Sequence, residues 1–385
     1  MTQPLHYLDH AATTPLAPEV LEAMMPYLTT VYGNPSSTHQ AGRTALNALD
    51  QARDTVAGIL GCTAAELVFT GGGSEGDNLA IKGVVQAYLR DHGSAHVIVS
   101  AIEHHACLHA AESLERSGIA VTILPVDGTG QVAAADLAAA LRPDTALVSI
   151  MYANNEIGTI QPIAALAAIA KAQHIPFHTD AVQAAGLLPI GVADLGVDVL
   201  TMTAHKFYGP KGTGVNYVRR GIACTPQIHG GAQERRRRAG TENIAGIVGF
   251  AAALQHAEAK RVAEVARLTP LRDALIAGIM GELPGVRLTG HATQRLANNA
   301  SFVIDGVDGD SLLILLDQRG ICASSGSACT SGSLEPSHVL AAIGAIGSDE
   351  QAALRVSLGR TSDADTVDYA IAAVVDVVQK LRSVA

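Results

Sequence analysis

The sequence predicts an α/β fold, with a mainly parallel sheet flanked by helices and a smaller α+β part after it. Three observations carry this expectation. Strand-like and helical runs alternate from about residue 16 to 220. That rhythm changes after residue 220. Asp180 and Lys206 each follow an apolar strand-like run, the place where ligands bind open α/β sheets. The chain has 385 residues, more than one hydrophobic core usually organises, so two domains are expected.

The elements follow in order. Gly42 to Leu60 places small or apolar residues at Ala45, Leu49, Ala52, Val56 and Ile59, a helical period that Gly61 stops. Glu66 to Thr70 reads as a short strand, and Gly71-Gly72-Gly73-Ser74-Glu75 then opens another helix. Further strand-like runs are His96 to Ser100, Val121 to Val126, Ala146 to Met151, Ile175 to His178, Val197 to Met202 and Gly214 to Val218. Helical segments separate most of them. A long helix is predicted from about Thr241 to Met280, irregular near Pro270. Ala300 to Ile304 and Leu354 to Leu358 read as strands, and Ser311 to Arg319 as a helix. Ser362 is expected to cap a final helix ending near Leu381.

Composition excludes several classes. Apolar residues make up 48% and charged ones 16%, which is globular and not disordered. A net charge of −10 disfavours direct nucleic-acid binding. The basic run Arg235 to Arg238 reads as a solvated loop. Cys62, Cys107, Cys224, Cys322 and Cys329 form no CxxC pair and no zinc spacing, so no metal is expected. An odd cysteine count without a framework fits a reducing, cytoplasmic setting. No signal peptide is indicated, and the apolar run Ile244 to Leu254 is too short to span a bilayer.

A lysine and a carboxylate facing one pocket suit pyridoxal 5′-phosphate (PLP). Lys206 would form the Schiff base, and Asp180 would keep the pyridine nitrogen protonated. Gln183, near one helical turn on, is placed to reach the ring oxygen. The glycine turn before Ser74 suits an anion at a helix start, though a plain tight turn reads the same way. Thr203 and His205 can donate to a phosphate. His104 can stack on a ring or move protons; an ordinary helix-start histidine stays open. Asn154-Asn155-Glu156 serve either as turn formers or as ligand contacts. Cys322 to Ser333 is small and polar, either a linker or a loop presenting a thiol. Arg355 and Arg360 flank Val356 to Gly359, where an arginine forks onto a carboxylate or makes a plain ion pair.

Together these segments resemble cysteine desulfurases of the NifS/IscS type, within the fold-type I, class V aminotransferase group of PLP enzymes. The likeness runs from Tyr7-Leu8-Asp9-His10-Ala11-Ala12-Thr13-Thr14-Pro15 through Gly33 to Ser37, Phe69 to Asn78 and Glu103-His104. It continues through Asn154 to Gly158, Asp180 to Gln183, His205-Lys206 and Gly240-Thr241-Glu242-Asn243. It closes with Ser324 to Ser333 and Arg355 to Arg360. The Ser-Ser-Gly-Ser-Ala-Cys loop is specific to the group I subclass.

The resemblance implies a large PLP-binding domain with a seven-stranded sheet, residues 15–258. Residues 1–14 and 259–385 would form the small domain, with the cysteine loop at about 322–334. It implies L-cysteine as substrate, with Lys206, Cys329 and His104 as catalytic residues. Cofactor contacts would be Gly73, Ser74, His104, Asn155, Asp180, Gln183, Thr203, His205 and Lys206. Thr241 would reach the phosphate across a homodimer interface. Asn155 and Arg355 would hold the substrate carboxylate. A persulfide on Cys329 would pass to acceptor proteins such as an iron–sulfur scaffold, with transient cluster ligation by Cys329. The acceptor pathways implied are iron–sulfur assembly, tRNA thiolation and cofactor biosynthesis. A selenocysteine lyase, another class V enzyme and a non-catalytic binding platform are the alternatives.

Two departures stand out. The family's usual Ser-Gly-Ala-Thr-Glu turn reads Gly71 to Glu75 here, with a serine hydroxyl retained. The family's Gly-Gly-Gly-x-Glu-Arg loop reads Gly230 to Arg235, with extra arginines at 236 and 237.

Overall fold

The computed structural model describes residues 5–325, 337–346 and 351–384. The chain opens with β1 (His6–Tyr7), α1 (Pro18–Thr29), α2 (Gln40–Leu60), β2 (Leu67–Thr70), α3 (Gly73–His92) and β3 (His96–Ser100). It continues with α4 (His105–Glu115), β4 (Ala120–Leu124), α5 (Ala134–Ala140), β5 (Thr145–Ser149), α6 (Ile163–Ala172) and β6 (Phe177–Asp180). Then come α7 (Val192–Leu195), β7 (Val199–Thr203), β8 (Gly214–Val218), the short turn α8 (Gln233–Arg236) and α9 (Ile244–Glu282). The last elements are β9 (Val286–Leu288), β10 (Asn299–Asp305), α10 (Gly309–Asp317), β11 (Ile321–Cys322), α11 (His338–Ala342), β12 (Gln351–Ser357) and α12 (Ala364–Val384).

Seven strands pair in the order β2-β8-β7-β6-β5-β3-β4. All are parallel except β8, which runs antiparallel to both β2 and β7. The ten residues between β7 and β8 leave no room for a crossover helix, so the chain turns back directly. Side-chain alternation then sorts the two faces. Ile98 of β3 joins the layer under α1, α2, α6 and the first half of α9, while Val97 and Val99 face α3 and α4.

A second, three-stranded antiparallel sheet has the order β12-β10-β9. It packs its own apolar cluster with the later half of α9, with α10 and with α12. Pro270 sits inside α9, within the stretch from Leu268 to Ile279 that serves this second core. A smaller cluster joins Ile102, Met151 and Ile157 to Val303, Val339 and Leu340, closing the space between the two sheets. The N-terminal strap crosses the same space. Tyr7 pairs in parallel with Cys322, and Thr14 bonds to the turn at His205.

Some expectations shift. Asp180 and Thr203 are the last residues of their strands and do not lie beyond them. Asp363, not Ser362, accepts from Thr366 N–H at 2.8 Å as the last helix begins. Ser362 Oγ instead accepts from Gly359 N–H at 3.0 Å, because the chain folds back there. The arginine run is not simply solvated. Arg237 bonds the carbonyls of Ala65 and Leu67, and Arg238 grips Glu75 at 2.8 Å. The peptides before β2 have carbonyls that need donors, and these side chains supply them.

Candidate active site

β6 and β7 are parallel neighbours, with Asp180 opposite Thr201. Their C-terminal ends therefore deliver Asp180, Thr203, His205 and Lys206 to one place. The chain makes a single tight turn at Ala204–Lys206, which points the lysine back over the strand ends. A cavity of about 390 Å³ lies there. Lys206, Asp180, His104, Ser74, Asn155 and Arg355 line it, with Gly73, Gln183, Thr203 and His205.

Each side chain has a definite local setting. Lys206 Nζ donates to the carbonyls of Ala11 and Ala12, at 2.5 and 2.8 Å. Gln183 Nε2 donates to the same Ala11 carbonyl at 2.9 Å. It lies in a turn and not on a helix. Asp180 accepts from Val182 N–H at 2.8 Å. Burial pushes its carboxyl up to about 6, against the lowering effects of that bond and of Lys206. His104 caps α4 by accepting from Ala106 N–H at 3.1 Å. Burial, then the nearby Lys206 charge, lowers its pKa to about 4, so the ring is neutral near pH 7. His205 meets Thr13 Oγ1 at 3.1 Å and is likewise lowered to about 4 by burial and by Lys206.

Arg355 rises from β12 with only 2% of its surface exposed. It pairs with Asp9 at 2.7 Å and donates to the Asn155 carbonyl at 3.0 Å while lining the cavity. The ion-pair reading thus holds at Arg355, and the same side chain reaches the cavity wall. Arg360 takes the other course. It stacks over Tyr208 at 4.0 Å and pairs with Glu19, away from this cavity. Thr241 is exposed and lines no part of its own chain's cavity. Cys329 lies outside the described residues.

Two buried acids escaped the sequence reading. Asp77, on α3, lines the cavity at 1% exposure. The signal for it was its spacing: three residues after Ser74, it shares that helix face. Glu103 is fully buried; it accepts from Ser100 Oγ at 2.5 Å and Met151 N–H at 2.8 Å, and burial raises it to about 8.

The donor set fits PLP. At one end α3 starts at Gly73, and the first N–H groups of a helix have no partner within it. A Cβ at Gly73 would lie 3.0 Å from Val182 Cγ2, so a side chain there would crowd the cradle. Ser74, Thr203 and His205 surround this end and also line an adjoining cavity of about 420 Å³. Asp180 and Lys206 line the inner cavity and not that adjoining one.

The class-V aminotransferase family model matches residues 6–370. The chain is 51% identical over 377 residues to a cysteine desulfurase IscS of Methanosarcina thermophila, covering 98% of this chain and 93% of that one. It is 47% identical over 378 residues to the IscS of Dictyoglomus turgidum, covering 98% and 95%. Among solved structures, a NifS-like protein superposes with a TM-score of 0.91 at 35% identity, covering 98% of this chain and 100% of that one. A structure described as SspA in complex with cysteine gives 0.80 at 38% identity, covering 93% and 99%. The chain belongs to the class-V aminotransferase family, and within it to the PLP-dependent cysteine desulfurases of the IscS/NifS type.

Proposed function

We propose that this chain takes the sulfur atom from L-cysteine, releases L-alanine and leaves the sulfur on Cys329 as a persulfide. The observation that carries the reading is one cavity that gathers an amine, a buried acid and a buried arginine at the ends of β6 and β7. When bound, PLP supplies an electron sink for the electron pair left at the substrate's Cα.

The side chains have separable tasks. Ser74, Thr203, His205 and the start of α3 would hold the phosphate. Asp180 would hold a proton on the ring nitrogen, and Gln183 would serve the ring oxygen. His104, neutral near pH 7, would pack against the ring. Arg355 and Asn155 orient the substrate carboxylate. Lys206 is the base that moves the Cα proton. In the net reaction the Cβ–S bond breaks and an S–S bond forms at Cys329. Cβ gains one proton, and the Cys329 thiol releases one, so no outside oxidant is needed.

The remaining assignments belong to the same proposal. Residues 15–258 form the large domain; 1–14 and 259–385 form the small one, with the cysteine loop. Two copies pair, and Thr241 completes the partner's phosphate site. The protein works in the cytoplasm and hands its persulfide to acceptor proteins such as an iron–sulfur scaffold. No helix among the described residues is long and apolar enough to cross a membrane.

The test supplies L-cysteine to the PLP-loaded protein and measures alanine, sulfide and protein persulfide. Lys206→Ala is expected to abolish alanine release. Cys329→Ala is expected to abolish the persulfide. Full sulfur transfer by the Cys329 variant would remove that residue from its role.

A further inference from the structure

Beside Asp180 lies a second carboxyl. Asp77 reaches the cavity from α3, and Asp180 reaches it from β6. Acceptor atoms of Asp77 and Asp180 and the Cys107 sulfur lie within 4.8 Å of one another. Asp77 Oδ1 is buried with no hydrogen-bond partner. The groups around it come from every packed element. Thr201 on β7 and the Cys107 thiol on α4 bond toward Asp77, and Glu103 adds its buried carboxyl. His178 on β6 stands 3.8 Å away. It is no counter-ion, since burial lowers its pKa to about 3. Its ring nitrogens are already engaged, by Ser149 Oγ at 2.8 Å and Thr201 Oγ1 at 3.0 Å.

Two buried carboxylates this close cannot both ionise without a second cation. The local partners decide which one carries the charge. Asp180 has the Val182 N–H and the Lys206 charge. Asp77 has neither, and burial with the Asp180 charge drives its carboxyl well above the usual range. We infer that Asp77 and Asp180 form a one-proton pair, in which Asp77 is the protonated positioning partner that leaves Asp180 the single carboxylate for the ring nitrogen. This rests on the proposed pairing of Asp180 with that nitrogen. Asp77 acts through Asp180. One negative charge then meets one pyridinium, with no surplus charge buried.

Infrared difference spectra of the wild-type protein and Asp77→Asn, in H2O and D2O near neutral pH, read the carbonyl stretch of protonated carboxyls. A deuterium-sensitive band is expected in wild type, reduced in Asp77→Asn and distinct from the band lost in Glu103→Gln. A band untouched by Asp77→Asn overturns the pair. A PLP titration followed by absorbance supplies the second readout. Asp77→Ala is expected to weaken PLP binding about tenfold, and Asp77→Asn, which keeps a neutral polar group, to restore most of it. Asparagine as weak as alanine overturns the protonated assignment. Asp180→Asn separates the two claims. Unchanged PLP affinity in that variant overturns the ring-nitrogen role of Asp180, whatever the infrared result for Asp77.

Discussion

Glu103 shows how a single residue ties the site to pH. Its folded pKa is raised to about 8, and an unfolded glutamate titrates near about 4.3. Between those values the native state keeps a proton that the unfolded chain has lost. The group's contribution to stability therefore falls as pH rises through that window. Glu103→Gln has no proton to keep. Its stability relative to wild type is expected to rise with pH, by at most about 1.4 kcal/mol per pH unit. Urea unfolding of both proteins at two pH values inside the window checks this, and a constant difference would contradict it. Arg236 makes a different case. It is exposed, with φ +64°, directly after Glu234 and Arg235, which are also left-handed. Glu234 is locked by its buried pair with Arg53 at 2.6 Å, so the turn cannot relax. Arg236→Gly is expected to stabilise the protein by up to about 1 kcal/mol, read as a higher Tm. The sequence marked the extra arginine as a departure, but a backbone angle leaves no trace in composition. Lys206 and Asp180 were legible because their chemistry is rare at strand ends. Asp77 was not, because a helical aspartate usually faces water.

Among the elements, strands were easier to find than to bound. The apolar run ending at His178 marked β6 two residues early at both ends, since hydrophobicity reports burial and not hydrogen bonding. His178, Thr179 and Asp180 are polar, buried and still in the ladder. The reversal of β8 was hidden by a rhythm that otherwise meant parallel strands; its signal was the short β7–β8 connection. The fit of α3 to the sheet has a sharper limit. A Cβ at Gly76 would lie 2.4 Å from Asn216 Oδ1 and 2.7 Å from Thr201 Cγ2. Gly76→Ala is expected to cost about 1–3 kcal/mol of stability and to weaken PLP binding, because α3 must lift off β7 and β8. Chemical denaturation and a PLP titration measure the two effects. Unaltered stability would mean that the helix has slack at this contact.

For the whole molecule, the cavity between the two sheets depends on parts far apart in sequence. Asp9 from the N-terminal strap and Arg355 from β12 meet across it, and α9 feeds both cores. None of this long-range assembly is visible in local periodicity, which reads one element at a time. Ser74, Thr203 and His205 line both the inner cavity and the adjoining outer one. A second copy that covers that outer mouth, as the proposed dimer would, makes cofactor retention a matter of mass action. If pairing tightens PLP binding, PLP must tighten pairing by the same factor. Apparent PLP affinity is then expected to climb with protein concentration and level off once pairs predominate. Dilution would shed subunit and cofactor together, so a titration repeated across protein concentrations measures assembly through a chromophore.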